Sequence, residues 1–327
     1  MPIVRSDFGR LTDELQEVYQ EVAKESLAES VGFKIFDVKD TNRYTYDYLV
    51  LHGLDGIQAV ADGQDLPGVT SQQGNSATWT QSQYGALVSI TKRMRKFDLH
   101  DQMEDVVRSI TEDAFHKVDQ SLADVLTNGF SSSNYTDVYN QSVAASGPDT
   151  LALFSASHSN PINSNVFRNL IRYPVGTNNP ALSREAVVQT IIDGLNHLDA
   201  VAHNRPTKLD TLIVSPTNWD LATRILESDK ISGSAENDTN MAVKGRVKNL
   251  IVWEKLTTRT GGTDTSAYWF MADGKKVGRS LKALFAERPT LDAPEVVYKN
   301  KNWDYTIDYF YAIGRALPTF IWGSTGS

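Results

Sequence analysis

The sequence predicts an α+β fold on three observations. Leu99, Met103, Val106, Ile110, Ala114, Val118, Leu122 and Val125 follow one another at steps of three or four, the spacing of one buried face of a long helix. Tyr305, Ile307, Tyr309, Tyr311 and Ile313 alternate with Thr306, Asp308, Phe310 and Ala312, the period of a strand with one face in a core, in residue types that suit a pleated surface. Between these two, the short apolar runs at 211–214, 249–256, 267–272 and 281–287 read as further strands, with helices interspersed.

Taken in order, Leu11, Leu15, Val18 and Val22 predict a helix from about Thr12 to Glu29. On its opposite side Asp13, Glu17, Glu21, Glu25 and Glu29 recur every four residues. Like charges at that spacing repel by roughly 0.2–0.5 kcal/mol per pair. The stripe is either a solvated face, or it meets basic groups on another subunit or lines a space from which anions are kept.

From Asp40 to Ile90 the text turns to scattered glycines (Gly53, Gly56, Gly63, Gly68, Gly74, Gly85) with much Gln, Ser and Thr, and is too long for an ordinary loop. Tyr84, Ala86, Val88 and Ile90 alternate with Gly85, Leu87, Ser89 and Thr91, and Pro67-Gly68 offers a turn upstream, so a long protruding β-hairpin is predicted. The competing reading is a disordered insertion. An exposed hairpin edge invites aggregation unless a neighbour covers it. The basic knot Lys92, Arg93, Arg95, Lys96 follows, read as a solvated strand end or as the partner of acidic groups on a neighbouring subunit.

Asp98 is placed to cap the long helix and Gly129 to end it. About 30 residues at about 1.5 Å each make a rod of about 45 Å. Its charge is one-sided: Asp98, Asp101, Glu104, Asp105, Glu112, Asp113, Asp119 and Asp124 stand against Arg108 and Lys117. Residues 130–150 read as polar loop and 151–165 as a run of turns. Ser183 then caps a helix through Ala186, Val187, Thr190, Ile191, Leu195 and Leu198 that ends near His203, and Pro216 opens another through Leu221, Ile225 and Leu226.

Composition limits the function. A chain of 327 residues with 40% hydrophobic content has room for two domains, each with its own core. A net charge of -8 provides no general basic surface for holding nucleic acid by counterion release. Without cysteine there is no disulfide, thiolate metal site or cysteine nucleophile. Neither a signal-peptide core nor a membrane-length apolar run is present, so a soluble protein made in the cytoplasm is expected, with no membrane partner.

Motifs of catalysis are missing as well: no Gly-x-Ser-x-Gly, no phosphate loop, no His-Glu-x-x-His. His197 and His203 lie six apart, about 600° around a helix, and cannot share a metal. His158 reads as a turn histidine rather than a triad member. No catalytic residue, cofactor or metal site is expected. The competing functional class is a soluble α/β enzyme, hydrolase-like, with an unannounced pocket.

In this order, an acidic helix, a Gly-rich hairpin segment, a very long helix and a mixed α/β portion resemble the HK97-fold major capsid proteins of tailed bacteriophages. The run Leu153, Phe154, Ser155, Ala156, Ser157, His158, Ser159, Asn160 is similar to a turn that follows the long helix in many members, and Ser164-Asn165 to the next station. Leu212, Ile213, Val214, Ser215, Pro216 with Leu221, Ala222, Ile225 and Leu226 resemble a strand-proline-helix segment. Asp238, Thr239, Asn240, the strand from Leu250 to Trp253, and Ala267 to Met271 resemble later stations. The likeness spans roughly residues 30–320 and rests on order and spacing.

The resemblance implies an N-terminal arm over 1–39, an extended loop over 40–91, a peripheral domain with the long helix as its spine over 92–181 and 270–327, and an axial domain over 182–269. It implies a major capsid protein that self-assembles into pentamers and hexamers of an icosahedral shell around a double-stranded DNA genome, enclosed but not read by sequence. The virion would be its location, with separate scaffold, portal and cement proteins as partners. A different phage structural subunit, such as a tail-tube or decoration protein, is the other reading. Some relatives crosslink through a lysine of the extended loop, but no lysine occurs between Lys39 and Lys92, which points to noncovalent contacts. Some carry a removable scaffolding segment, whereas Met1 lies only a few residues before this arm, so a separate scaffold is expected. Candidate inter-subunit contacts are Asp13, Glu17, Glu21, Glu25, Trp79, Tyr84, Lys92, Arg93, Arg95 and Lys96.

Overall fold

The computed structural model describes residues 5–51, 59–60, 62–66, 68, 73–97, 100–159, 166–198, 204–228, 240, 243 and 245–327, without the side chains of 5–11, 51, 73, 95, 100, 101 and 159. Leu11's side chain, the residues Gly53, Gly56, Pro67, Asp98, Leu99, His203, Asp238 and Thr239, and the run 160–165 therefore lie outside the described residues.

Helix α1 (Arg5–Glu29) buries Leu15 and Val22 and lies along the long helix, so the arm finds an apolar partner in its own chain. A short helix α2 (Gly32–Ile35) and strand β1 (Asp37–Asp40) follow. Strands β2 (Thr45–Leu51) and β3 (Gln73–Thr80) form an antiparallel hairpin. Strand β4 (Ser82–Ile90), expected as part of that hairpin, is instead a strand of the main sheet. The reason is its alternation: Tyr84, Ala86 and Val88 fall opposite Tyr309, Ile307 and Tyr305, two matching apolar faces. Residues 92–96 are not a strand end either. They form helix α3 (Lys92–Lys96), because the Thr91 hydroxyl accepts a hydrogen bond from the Met94 N–H and caps it.

Helix α4 (His100–Thr127) is the predicted long helix. Two small hairpins come next, β5 (Tyr135–Thr136) with β6 (Ser142–Val143), and β7 (His158–Ser159) with β8 (Val166–Phe167). Helix α5 (Arg184–Leu195) starts as expected, with Ser183 Oγ accepting from the Ala186 N–H, but it ends well before residue 203. There the chain turns back: the Thr207 N–H donates to the Gly194 carbonyl, a close approach that a Cβ on Gly194 would crowd.

The remaining elements are β9 (Thr211–Val214), α6 (Trp219–Glu227), β10 (Asn249–Val252), β11 (Trp269–Ala272), β12 (Leu281–Leu291), β13 (Glu295–Val296), β14 (Trp303–Arg315) and β15 (Ile321–Ser324). The run at 249–256 is thus shorter as a strand than expected, since Glu254–Leu256 forms a 3-10 turn, while β12 runs beyond residue 287 through two register shifts.

Two sheets organise the chain. The first is five-stranded: β1-β12-β14-β13, with β4 on the free side of β14, and β1 runs parallel to β12. The second is four-stranded, β10-β9-β11-β15, and every residue of β9, β11 and β15 is buried. Burial on both faces explains why these strands read as unbroken apolar runs. Residues 321–324, grouped by the resemblance with the peripheral portion, pair with β11 in this second sheet. One core joins α4, β12 and β14; another joins α5, α6 and the second sheet; a third joins Leu15 of α1 with Ile90, Met103 and Trp303.

Two acidic residues of the long helix do not belong to its exposed charge. Asp119 and Asp124 are buried, not members of a solvated stripe. Asp119 accepts hydrogen bonds from the Ser30 hydroxyl (2.5 Å), the Gly32 N–H (2.8 Å) and the Trp253 indole N–H (2.9 Å). One carboxylate thereby ties the end of the arm and the turn after β10 to the long helix. Gly32 is needed there, since a Cβ would sit 2.7 Å from Leu122 Cδ1. Asp124 accepts from the Thr260 N–H and the Gln120 amide, both at 3.1 Å.

His158 lies in β7 of the second small hairpin. It is 1% exposed, with Nδ1 2.5 Å from Asp149 Oδ2 and Nε2 3.0 Å from Asn169 Oδ1. The Asn169 amide donates to the carbonyls of Leu153, Pro318 and Ile321, which pins this turn to the C-terminal segment.

Candidate assembly surfaces

The charged candidates sit on elements whose apolar sides share one core. Leu15 and Tyr19 of α1 and Met94 of α3 pack in the same cluster, so both helices are fixed to the body and turn their charges away from it. Asp13, Glu17, Glu21 and Glu25 are exposed, and so are Lys92, Arg93 and Lys96. Among the described residues none of these seven forms an ion pair. The Arg95 side chain lies outside the described residues. One chain thus carries two unsatisfied surfaces of opposite sign.

The aromatic candidates behave differently. Trp79 stacks on Tyr46 (6.0 Å between centroids) and Tyr48 (5.4 Å), and its ring covers β14 at Gly314, where a Cβ would lie 2.6 Å from it. Tyr84 packs among Tyr139 (4.1 Å), Tyr311 (5.0 Å) and Tyr309 (5.8 Å). Both side chains serve the root of the hairpin within their own chain. Burial pushes the Tyr309 phenol up to about 12 and holds the Tyr139 and Tyr311 phenols well above their ordinary value, so this cluster stays neutral near neutral pH.

Sequence reasoning missed three surface features. Tyr44 and Tyr298 are largely exposed, and Leu87 of β4 is 59% exposed on a strand whose outer edge has no partner among the described residues. Alternation was the available signal for β4, but it does not say which edge is free. Beside that edge, between β4 and α4, runs a groove touching Ala86, Val88, Ile110 and Asp113. Among the described residues no group of three His, Asp or Glu is placed to hold a metal, and no described helix is long and apolar enough to cross a membrane.

A two-sheet body, a long helix, an arm and a projecting hairpin define the HK97-like capsid fold. Solved capsids share it. The capsid of an empty GTA particle superposes with a TM-score of 0.53 at 11% identity, covering 91% of this chain and 88% of that one. The capsid of cyanophage P-SCSP1u gives 0.52 at 10% identity, with 89% and 86% covered. The mature capsid of bacteriophage PhiM1 gives 0.51 at 12%, with 90% and 86% covered. The family model for phage capsid protein matches residues 75–322. The chain belongs to that family, which makes it a structural component of the virion. No curated protein sequence matches it.

Proposed function

We propose that this capsid protein is the major shell subunit, assembling as pentamers and hexamers of an icosahedral particle around double-stranded DNA. The observation that carries the reading is the pair of unsatisfied, oppositely charged helices on one chain. Complementary surfaces on the same chain can meet head-to-tail, and such contacts form rings where the rotation between subunits closes. The arm (1–39) supplies the acidic member. Lys92, Arg93, Arg95 and Lys96 at the base of the loop (40–91) supply the basic one. The peripheral domain takes 92–181 and 270–327, with α4 as its spine and 321–324 returning to the second sheet; the axial domain takes 182–269. Scaffold, portal and cement proteins are its expected partners, and the host cytoplasm the place of assembly.

Sedimentation of the expressed protein across concentration, with negative-stain imaging of the fast species, tests the reading. Closed shells, rings or capsomers are expected; a monomer at every concentration, with scaffold supplied, counts against it. The triple variant Lys92→Glu, Arg93→Glu, Lys96→Glu should raise the concentration needed for assembly by about tenfold at low salt and less at high salt. Reversing Glu17, Glu21 and Glu25 to Lys in the same chain should restore it. A triple variant that assembles like the parent at all salt concentrations would remove the charge pairing.

A further inference from the structure

Among the described residues, strand β4 is an edge strand with none of the protections edge strands usually carry. Long free edges are normally blunted by charged side chains, proline, a bulge or a covering element. From Ser82 to Ile90 there is no charged residue and no proline. Its pairing with β14 runs unbroken from Trp303 opposite Ile90 to Tyr311 opposite Ser82, without a bulge. Among the described residues its outer side has no partner strand, and Leu87 stands 59% exposed beside it. In a protein that must stay unaggregated until it assembles, such an edge is a surface kept for a partner.

The sequence of the strand says which partner. Lay a second copy antiparallel against it, centred on Ala86. Ala86 then meets Ala86, Tyr84 meets Val88, Gly85 meets Leu87, and Gln83 meets Ser89. On the inner face this gives two aromatic-aliphatic pairs around a small centre, a favourable cross-strand combination. On the outer face each exposed Leu87 lies over a glycine. Polar outer residues are already satisfied within each chain, since Ser89 Oγ donates to Asp304 and Gln83 Nε2 to Asp308. With no charge on the strand, no like-charge repulsion opposes self-pairing. The groove beside the strand, floored by Val88 and Ile110, leaves room beneath the incoming copy.

We propose that β4 of one subunit pairs antiparallel with β4 of a second copy across a two-fold axis centred on Ala86, joining their five-stranded sheets. Only the identity of the partner rests on the shell reading. A two-fold contact is isologous, whereas the arm-to-basic-helix contact is head-to-tail, so the two do different work: one closes capsomers and the other links them.

The chain has no cysteine, which makes the test clean. Opposed Cα atoms in antiparallel strands lie about 4.5–5.5 Å apart, within disulfide range. Assembled Ala86→Cys protein treated with diamide should run as a covalent dimer in most of its subunits. Gln83→Cys and Ser89→Cys should each stay monomeric alone and crosslink when co-assembled, because residue 83 faces residue 89. Particles that form while Ala86→Cys remains uncrosslinked overturn the pairing and leave the shell reading intact. Crosslinking of Ser89→Cys alone overturns the register. If the unoxidised protein forms no particles even with scaffold supplied, the shell reading fails, and the crosslink is still read on the concentrated soluble protein, where its absence also overturns the pairing. Leu87→Lys adds a readout free of oxidation: it should shift assembly to capsomer-sized species, and full shells at parental yield would count against the proposal.

Discussion

The two halves of α4 come from one apolar pattern and live in different surroundings. From 102 to 117 the helix is amphipathic, with Met103, Val107, Thr111, Ala114 and Phe115 buried and Gln102, Asp105, Ser109, Asp113 and His116 exposed. From 118 to 127 every residue but Gln120 is buried, Asp119, Ser121, Asp124 and Thr127 among them. The first half shows what a helix does when one side meets the core. The second shows polar side chains used as attachment points once other elements close over the opposite side. Buried polar groups are retained where they find partners, and here those partners come from residues 30–32, 253 and 260.

The contrast can be broken by substitution. The largest effect is expected from Asp119→Ala, which strands the Ser30 hydroxyl, the Gly32 N–H and the Trp253 indole without an acceptor; at roughly 1–3 kcal/mol for each stranded group the loss should exceed about 3 kcal/mol in urea unfolding. Next comes Leu122→Ala, about 2–5 kcal/mol, because Leu122 is fully buried in the main core. In the outer half Asp113→Ala, which removes an exposed pair with Lys117 at 2.9 Å, should change stability by less than about 0.5 kcal/mol. Equal losses at 113 and 119 would erase the distinction.

Titration sharpens the same contrast. Burial raises the Asp124 carboxyl, with the hydrogen bonds from Thr260 and Gln120 opposing it. A group that binds its proton more tightly when folded costs stability as pH rises through its folded pKa. Asp124→Asn should therefore lose that decline in a series of denaturation curves against pH. Asp37, on β1, is the opposite case. Burial raises it, but Lys282 at 2.5 Å and Lys39 at 3.3 Å outweigh the burial and hold it low. Its contribution is present above the ordinary carboxylate range and lost as pH falls through the lowered value, so Asp37→Asn should flatten the acid side of the curve.

Much of the fold was legible. Period and capping residues located α1, α4, α5, β9 and β14, because each has a face that the sequence must keep apolar. The family was readable from the order of short segments, of which Leu153-Phe154 and Val214-Ser215-Pro216 are examples. What was not legible depends on contacts between distant residues. Nothing around position 84 says that it pairs with position 309 rather than with the hairpin, and nothing near Asp119 announces Trp253. Charges were visible at Glu17 and Arg93, but their lack of ion-pair partners among the described residues is a property of the tertiary structure. Trp79 reads as an inter-subunit contact candidate, and its packing on Gly314, far away in sequence, is not legible near position 79.

The parallel pairing of β1 with β12 has a mechanical consequence. Asp37 to Asp40 run alongside Lys282 to Phe285, stitched further by the Lys282–Asp37 contact and the two Arg288–Asp40 bonds. Tension pulling the arm along its own direction loads these bonds together, in shear, rather than unzipping them one at a time. The joint between arm and body therefore gives way only as a set, and it is strongest against a load directed along β1.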